Sequence, residues 1–160
     1  LPSSGLHSNG FSLARKLFFE KLGMSPDDLL YDDVMLKTAL LAPTRIYVQQ
    51  VLKVLEEGVD VKGMVHITGG GFYDNIPRVL PDCAGVKINP DAFPTPGIYK
   101  FILEKSGIEE KELYRVFNMG IGFIMVMEQS QAEKVMALID DACIIGNVTD
   151  TGEVEIEGIN

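Results

Sequence analysis

The chain has 160 residues, 46% of them hydrophobic and 23% charged, which is enough to close a core and too apolar for a disordered segment. A net charge of −9 argues against nucleic-acid polymers and anionic membranes as main partners, since both need a basic face. The longest apolar runs, such as residues 121–127, are too short to span a bilayer.

In chain order, residues 1–10 form a small, polar, glycine-bearing loop ending in His7-Ser8-Asn9-Gly10. Leu13, Leu17, Phe18 and Leu22 then recur at helical spacing, with Asn9 or Ser12 as cap and Gly23 as stop. Ser25-Pro26-Asp27-Asp28 predicts a short helix to about Tyr31, and residues 32–42 read equally as helix or irregular chain. Tyr47, Val48, Val51, Leu52 and Leu55 predict an amphipathic helix closed by Gly58.

Residues 61–67 read as a buried strand that runs into Thr68-Gly69-Gly70-Gly71 and then into a helix of at most five residues, Phe72 to Ile76, before Pro77. Residues 86–88 predict a strand, 98–105 a helix starting near Pro96, and 109–114 one or two helical turns. A third glycine segment, residues 117–122, leads into a strand over 123–127. Ser130 and Glu133 match a capping box for the next helix, and Thr151-Gly152 predicts a hairpin between strands at 143–148 and 153–159. The order predicts a mixed α/β domain, a mixed sheet with helices packed on it.

Three glycines in a row lose much backbone entropy on folding, so they answer to positive φ or to close approach of another group. A strand, a glycine turn and a helix start together offer free amides to an anion. No GxxxxGK[ST] or GxGxxG pattern is present, which disfavours P-loop and Rossmann readings and leaves amide recognition of one phosphate. Thr68 adds a hydroxyl, with Asn75, Arg78 and Arg45 as further candidates, although an ordinary surface ion pair is the simpler reading of either arginine. His7 sits in a polar turn where its ring could donate to a ligand oxygen, whereas His66 in an apolar strand reads as a structural histidine. The acidic pairs fall at helix starts and suggest no metal cage. Cys83 and Cys143 lack CxxC spacing and are expected to be unpaired core residues of a cytoplasmic protein.

Four stretches resemble a single family. They are residues 4–13 (SGLHSNGFSL), 41–47 (LAPTRIY), 66–71 (HITGGG) with Asn75-Ile76-Pro77-Arg78, and 117–122 (FNMGIG). In this order and wording they are similar to phosphoribosylformylglycinamidine cyclo-ligases, the aminoimidazole ribonucleotide synthetases of purine biosynthesis. The resemblance implies that residues 1–160 are one domain, the C-terminal half of a two-domain enzyme, without the N-terminal domain that carries Mg-ATP and most of the homodimer contacts. It further implies a reaction in which ATP and Mg²⁺ activate a formyl oxygen of formylglycinamidine ribonucleotide, a ring nitrogen closes the imidazole, and ADP and phosphate leave. Carried over, His7 is the candidate catalytic residue, and Ser8, Asn9, Gly10, Thr68, Gly69, Gly70, Gly71, Asn118, Met119 and Gly120 are the substrate- and phosphate-binding set. Two alternatives are a related ATP-dependent synthetase of the same superfamily and a non-catalytic module that keeps the fold.

Overall fold

A computed structural model describes residues 1–159; Asn160, the last residue of the predicted domain, lies outside them. Among the described residues five strands form two small sheets, and seven α-helices accompany them. The first sheet pairs β1 (Val61–His66) antiparallel with β3 (Phe123–Met127). The second has the order β4-β2-β5, built from β2 (Gly85–Ile88), β4 (Gly146–Thr149) and β5 (Val154–Ile156), with β2 antiparallel to β4 and parallel to β5. The α/β class holds, but the strands form two sheets where one was expected.

The β1–β3 ribbon is covered on both faces. Val65 and Ile124 point into the main core, while Phe123, Met125 and Met127 point into a second cluster. That second cluster is closed by α3 (Val48–Glu56) and α7 (Gln129–Leu138) through Val54, Val135 and Leu138. The register shifts between Val61 and Gly63, and this irregularity turns Val61 to the same side as Phe123 although its parity matches Val65.

Several local expectations are corrected. The first helix begins at Phe11 as α1 (Phe11–Arg15) and continues as a π-helix over Lys16–Lys21, where Leu22 N–H donates to Leu17 O at 3.0 Å. Its cap is Gly10 in the left-handed region, and neither Asn9 nor Ser12 supplies a side-chain cap. Residues 25–28 form a turn and go no further, because the carbonyls that a helix would use are taken from a distance: Pro26 O accepts from Lys37 N–H and Asp28 O from Leu36 N–H, each at 2.8 Å. A 3₁₀ turn (Tyr31–Asp33) and α2 (Leu36–Leu40) follow.

Helix α3 carries two apolar stripes. Tyr47, Val51 and Val54 face inward, whereas Val48, Leu52 and Leu55 of the predicted stripe are exposed. Helix α7 starts one residue before the expected capping box, and no side chain caps it. The terminal hairpin does not form, because β2 lies between β4 and β5. Gly85 permits this: a Cβ there would overlap Glu153 O, and the close approach lets Val86 N–H donate to that oxygen at 2.8 Å.

Cys83 and Cys143 are both free, yet Cys83 is exposed on the Pro81–Ala84 turn, so only half-buried Cys143 packs against the core. Among the described residues no helix is long and apolar enough to cross a membrane.

Candidate functional site

The glycine segments place their backbones in conformations that ordinary residues avoid. Gly10 has φ 74°, Gly70 94°, Gly71 58° and Gly120 106°, and two non-glycine residues join them, His7 at 57° and Met119 at 48°. Strain of this kind gathers where surrounding structure over-determines a loop. Here it marks three loops that meet. A Cβ on Gly69 would lie 3.5 Å from Asn9 Oδ1, and one on Gly10 would overlap the Phe117 ring just before Asn118.

Each loop is tied down by a buried amide side chain or a close packing contact. Asn75 clamps the second loop: its Nδ2 donates to Gly71 O at 2.7 Å and Gly69 O at 3.1 Å, while its Oδ1 accepts from the Thr68 hydroxyl at 3.0 Å. Gly71 is packed against α6 (Glu110–Val116), where a Cβ would overlap Tyr114 O. Asn118 organises the third loop. Its Oδ1 accepts from Ser3 Oγ at 2.8 Å, Tyr99 OH at 3.0 Å and Gly120 N–H at 2.9 Å, and its Nδ2 donates to Gly5 O at 2.8 Å. Tyr99 belongs to α5 (Gly97–Lys105), so one amide joins the N-terminal loop, that helix and the third glycine segment. Its bonds are made inside the protein, and Asn118 and Met119 are buried, so these two support the site from below.

The amides of Ser8, Gly10, Gly69 and Gly70 donate to no protein acceptor among the described residues. Ser8 and Gly69 are exposed, and Asn9, Gly10, Thr68 and Gly70 are half-buried. The structure therefore brings the first two loops together with free donors at a surface. The helix after the second loop, α4 (Gly71–Asn75), spans five residues before a 3₁₀ turn over Ile76–Val79. So short a helix has little dipole, and the donors are the loop amides themselves.

His7 lies beneath the first loop at 4% exposure. Its Nε2 accepts from Ser4 N–H at 3.2 Å and faces Arg45 N–H at 3.5 Å, which places the ring proton on Nδ1. That Nδ1 is buried without a partner. Burial, with His66 and Arg45 nearby, lowers the His7 pKa to about 4, so the ring is neutral at pH 7.

Around it stand His66, with ring centroids 5.8 Å apart, and Tyr47 at 6.2 Å. His66 is exposed at the end of β1, so it is not enclosed in an apolar strand as its reading as a structural histidine supposed. Tyr47 donates to Pro2 O at 2.9 Å, and burial pushes its phenol up to about 12. Gly122 makes this cluster possible, since a Cβ there would overlap Tyr47 OH and crowd His7 Cε1.

Arg45 is engaged elsewhere. It forms a two-pronged pair with Asp141, at 2.5 and 3.2 Å, which holds that carboxyl below its usual range, and it lies 5.3 Å from the Tyr47 ring centre. Arg78 is exposed on the 3₁₀ turn and makes no hydrogen bond to the three loops among the described residues. Sequence reasoning missed Ser3, Tyr47, Tyr99 and Gly122. Tyr47 was hidden in an apolar stripe, Gly122 stood in the third glycine segment without a role of its own, and no local pattern sets Ser3 and Tyr99 apart.

A family model described as AIR synthase related protein, C-terminal domain, matches residues 1–159. The chain is 48% identical over 155 residues to a phosphoribosylformylglycinamidine cyclo-ligase of Alkaliphilus metalliredigens, covering 92% of this chain and 44% of the relative. A protein of the same name from Syntrophotalea carbinolica is 44% identical over 158 residues, covering 96% of this chain and 45% of the relative. One from Geobacillus thermodenitrificans is 44% identical over 165 residues, with 100% and 47% covered. The chain thus spans less than half the length of these relatives, and it belongs to the AIR synthase related family as its C-terminal domain.

Proposed function

We propose that this domain is the substrate-side half of an ATP-dependent cyclo-ligase that converts formylglycinamidine ribonucleotide to aminoimidazole ribonucleotide, ADP and phosphate in purine biosynthesis. The observation that carries the reading is the meeting of the His7–Gly10 and Thr68–Gly71 loops, Asn9 against Gly69, with four free amides between them. Those amides, with Ser8 and Asn9, hold the ribonucleotide phosphate, because several aligned N–H donors bind an oxyanion without a local positive charge. Asn75 keeps Thr68 to Gly71 in shape, and Asn118, Met119 and Gly120 form the floor. Arg45 and Arg78 stay outside the phosphate contacts.

Neutral His7 cannot act as a cationic clamp. Its role is to orient: its accepting Nε2 fixes Ser4 and Arg45, and its Nδ1–H is a donor available to the reacting formamide after a small shift of the loop. Phosphoryl activation of this kind needs positioning and charge stabilisation more than a protein nucleophile, which suits a site that has none.

Mg-ATP supplies the phosphoryl group. Among the described residues no three His, Cys, Asp or Glu side chains gather, so the proposal assigns metal and nucleotide chiefly to an N-terminal domain of the full-length protein. That protein is proposed to be a cytoplasmic homodimer. The test is turnover by the full-length protein given Mg²⁺, ATP and formylglycinamidine ribonucleotide. Stoichiometric ADP and aminoimidazole ribonucleotide are expected, and ATP use with a different acceptor instead would overturn the assignment.

A further inference from the structure

An apolar groove of about 290 Å³ separates the two sheets. One wall is β3 and the other is residues 142–148, which include the first part of β4. All five residues of β3 line it, including both parities of the strand. A sheet face would present every second residue, so the groove meets β3 along its edge. Among the described residues that edge is unpaired past its first residue, since β1 occupies the opposite side. Strand β4 is likewise the outer strand of its sheet. Two strand edges therefore share one apolar slot.

The N-terminal residues show what can occupy it. Ser3 N–H donates to Gly120 O at 2.8 Å, Pro2 bridges Ile121 antiparallel, and the Leu1 nitrogen donates to Phe123 O at 2.7 Å. Phe123 N–H faces Leu1 O in return at 3.3 Å. The segment is thus an antiparallel partner of β3 at its beginning, and Leu1 itself lines the groove. Continued backwards in the same register, a chain would meet the N–H and C=O groups of Met125 and then Met127, whose parity matches Phe123.

We propose that the slot seats one extended strand, formed by the residues that lead into Leu1 in a longer chain of this family. The relatives supply the chain length for it, since this chain covers only 44% to 47% of theirs. The strand joins the two sheets by bonding β3 on one side and β4 on the other. Its side chains would meet Ala132 and Val135 of α7 on one face and Val86 and Ile88 of β2 on the other. Both faces are apolar, so the segment is an uninterrupted run of aliphatic residues without alternating charge.

Amide hydrogen exchange at Met125 and Met127 tests this. In the 160-residue chain these amides exchange fast. An N-terminal extension of five Val and Ile residues slows them about tenfold or more and raises the urea midpoint, whereas the same extension with prolines at alternate positions does neither. Equal rates with and without the Val/Ile run overturn the proposal, as does equal protection by the proline control. Protection that grows with protein concentration alongside a doubled mass in light scattering assigns the slot to a second copy, and also overturns it. If the short chain does not fold, exchange is read in the full-length protein, where unprotected Met125 and Met127 amides refute the strand.

Discussion

The ring of Phe117 lies on the α-carbon of Gly10, so closely that a methyl group there would overlap the ring. This contact fixes the first glycine loop against the third. Gly10→Ala adds that overlap to a left-handed φ of 74°, and it should cost about 3 kcal/mol in urea unfolding. Pairing it with Phe117→Leu should recover part of the loss, because only the steric share is relieved.

Gly70 and Gly71 should separate binding from folding. A Cβ on Gly71 overlaps the backbone oxygen of Tyr114, which cannot move aside, so Gly71→Ala should lower stability more than any change at its neighbour. At Gly70 the obstruction is the Asp74 side chain, whose carboxylate can rotate but whose Cβ moves only with the short helix α4, and the φ of 94° adds to the penalty. Gly70→Val in the full-length protein should lower stability by less than Gly71→Val, and the folded fraction should lose substrate affinity and turnover severely. Wild-type kinetics from a normally folded Gly70→Val protein would sink the phosphate-loop reading.

Buried Asn75 holds three groups of one loop. Asn75→Ala leaves the Thr68 hydroxyl and the Gly69 and Gly71 carbonyls without this partner, at a cost of about 3 kcal/mol by chemical denaturation. The same variant in the full-length protein should raise KM for the ribonucleotide more than it lowers kcat.

The low pKa of His7 makes stability depend on pH. Folded His7 stays neutral down to about pH 4, whereas the unfolded ring takes a proton near 6.5. The unfolded state binds the extra proton in that interval, so this contribution is complete above 6.5 and is lost as pH falls towards 4. Urea midpoints at pH 7.0 and 5.0 should differ in the wild type, and the difference should shrink in His7→Gln.

The isolated 160-residue chain should make no aminoimidazole ribonucleotide when supplied with Mg²⁺, ATP and substrate. Product formation measured above the uncatalysed rate would mean that the phosphate loops are not merely half of the site.

How much of this was legible depends on the range of the cause. Strands β1 and β3 and helix α5 were readable because their residues carry the pattern locally, and the glycine loops were readable because positive φ demands glycine. The turn at Ser25 escaped because the carbonyls of Pro26 and Asp28 are taken by the amides of Lys37 and Leu36, a pairing that the local helix-start residues do not reveal. The outward stripe of α3 escaped because Val48, Leu52 and Leu55 have the same spacing as Tyr47, Val51 and Val54. The hairpin failed because β2, some sixty residues upstream of β4, supplied a better partner than the adjacent strand. The closeness of Tyr47 and His7 depended on Gly122, whose place in a glycine segment does not show which distant side chains its missing Cβ admits.

The Asn118 side chain reaches Ser3 across 115 residues and Gly5 across 113, while the Leu1 nitrogen reaches Phe123 across 122. Closing loops of that length carries its entropy cost before any contact rewards it, so the N-terminal segment docks after the helices that flank Asn118 have packed. Bonds made on the native side of the folding barrier govern how fast a protein opens, and leave the rate at which it closes nearly untouched. Asn118→Ala should accordingly steepen the loss of native protein in unfolding kinetics while the refolding arm stays close to wild type. The floor beneath the three loops should thus be among the last parts of the domain to assemble and the first to come apart.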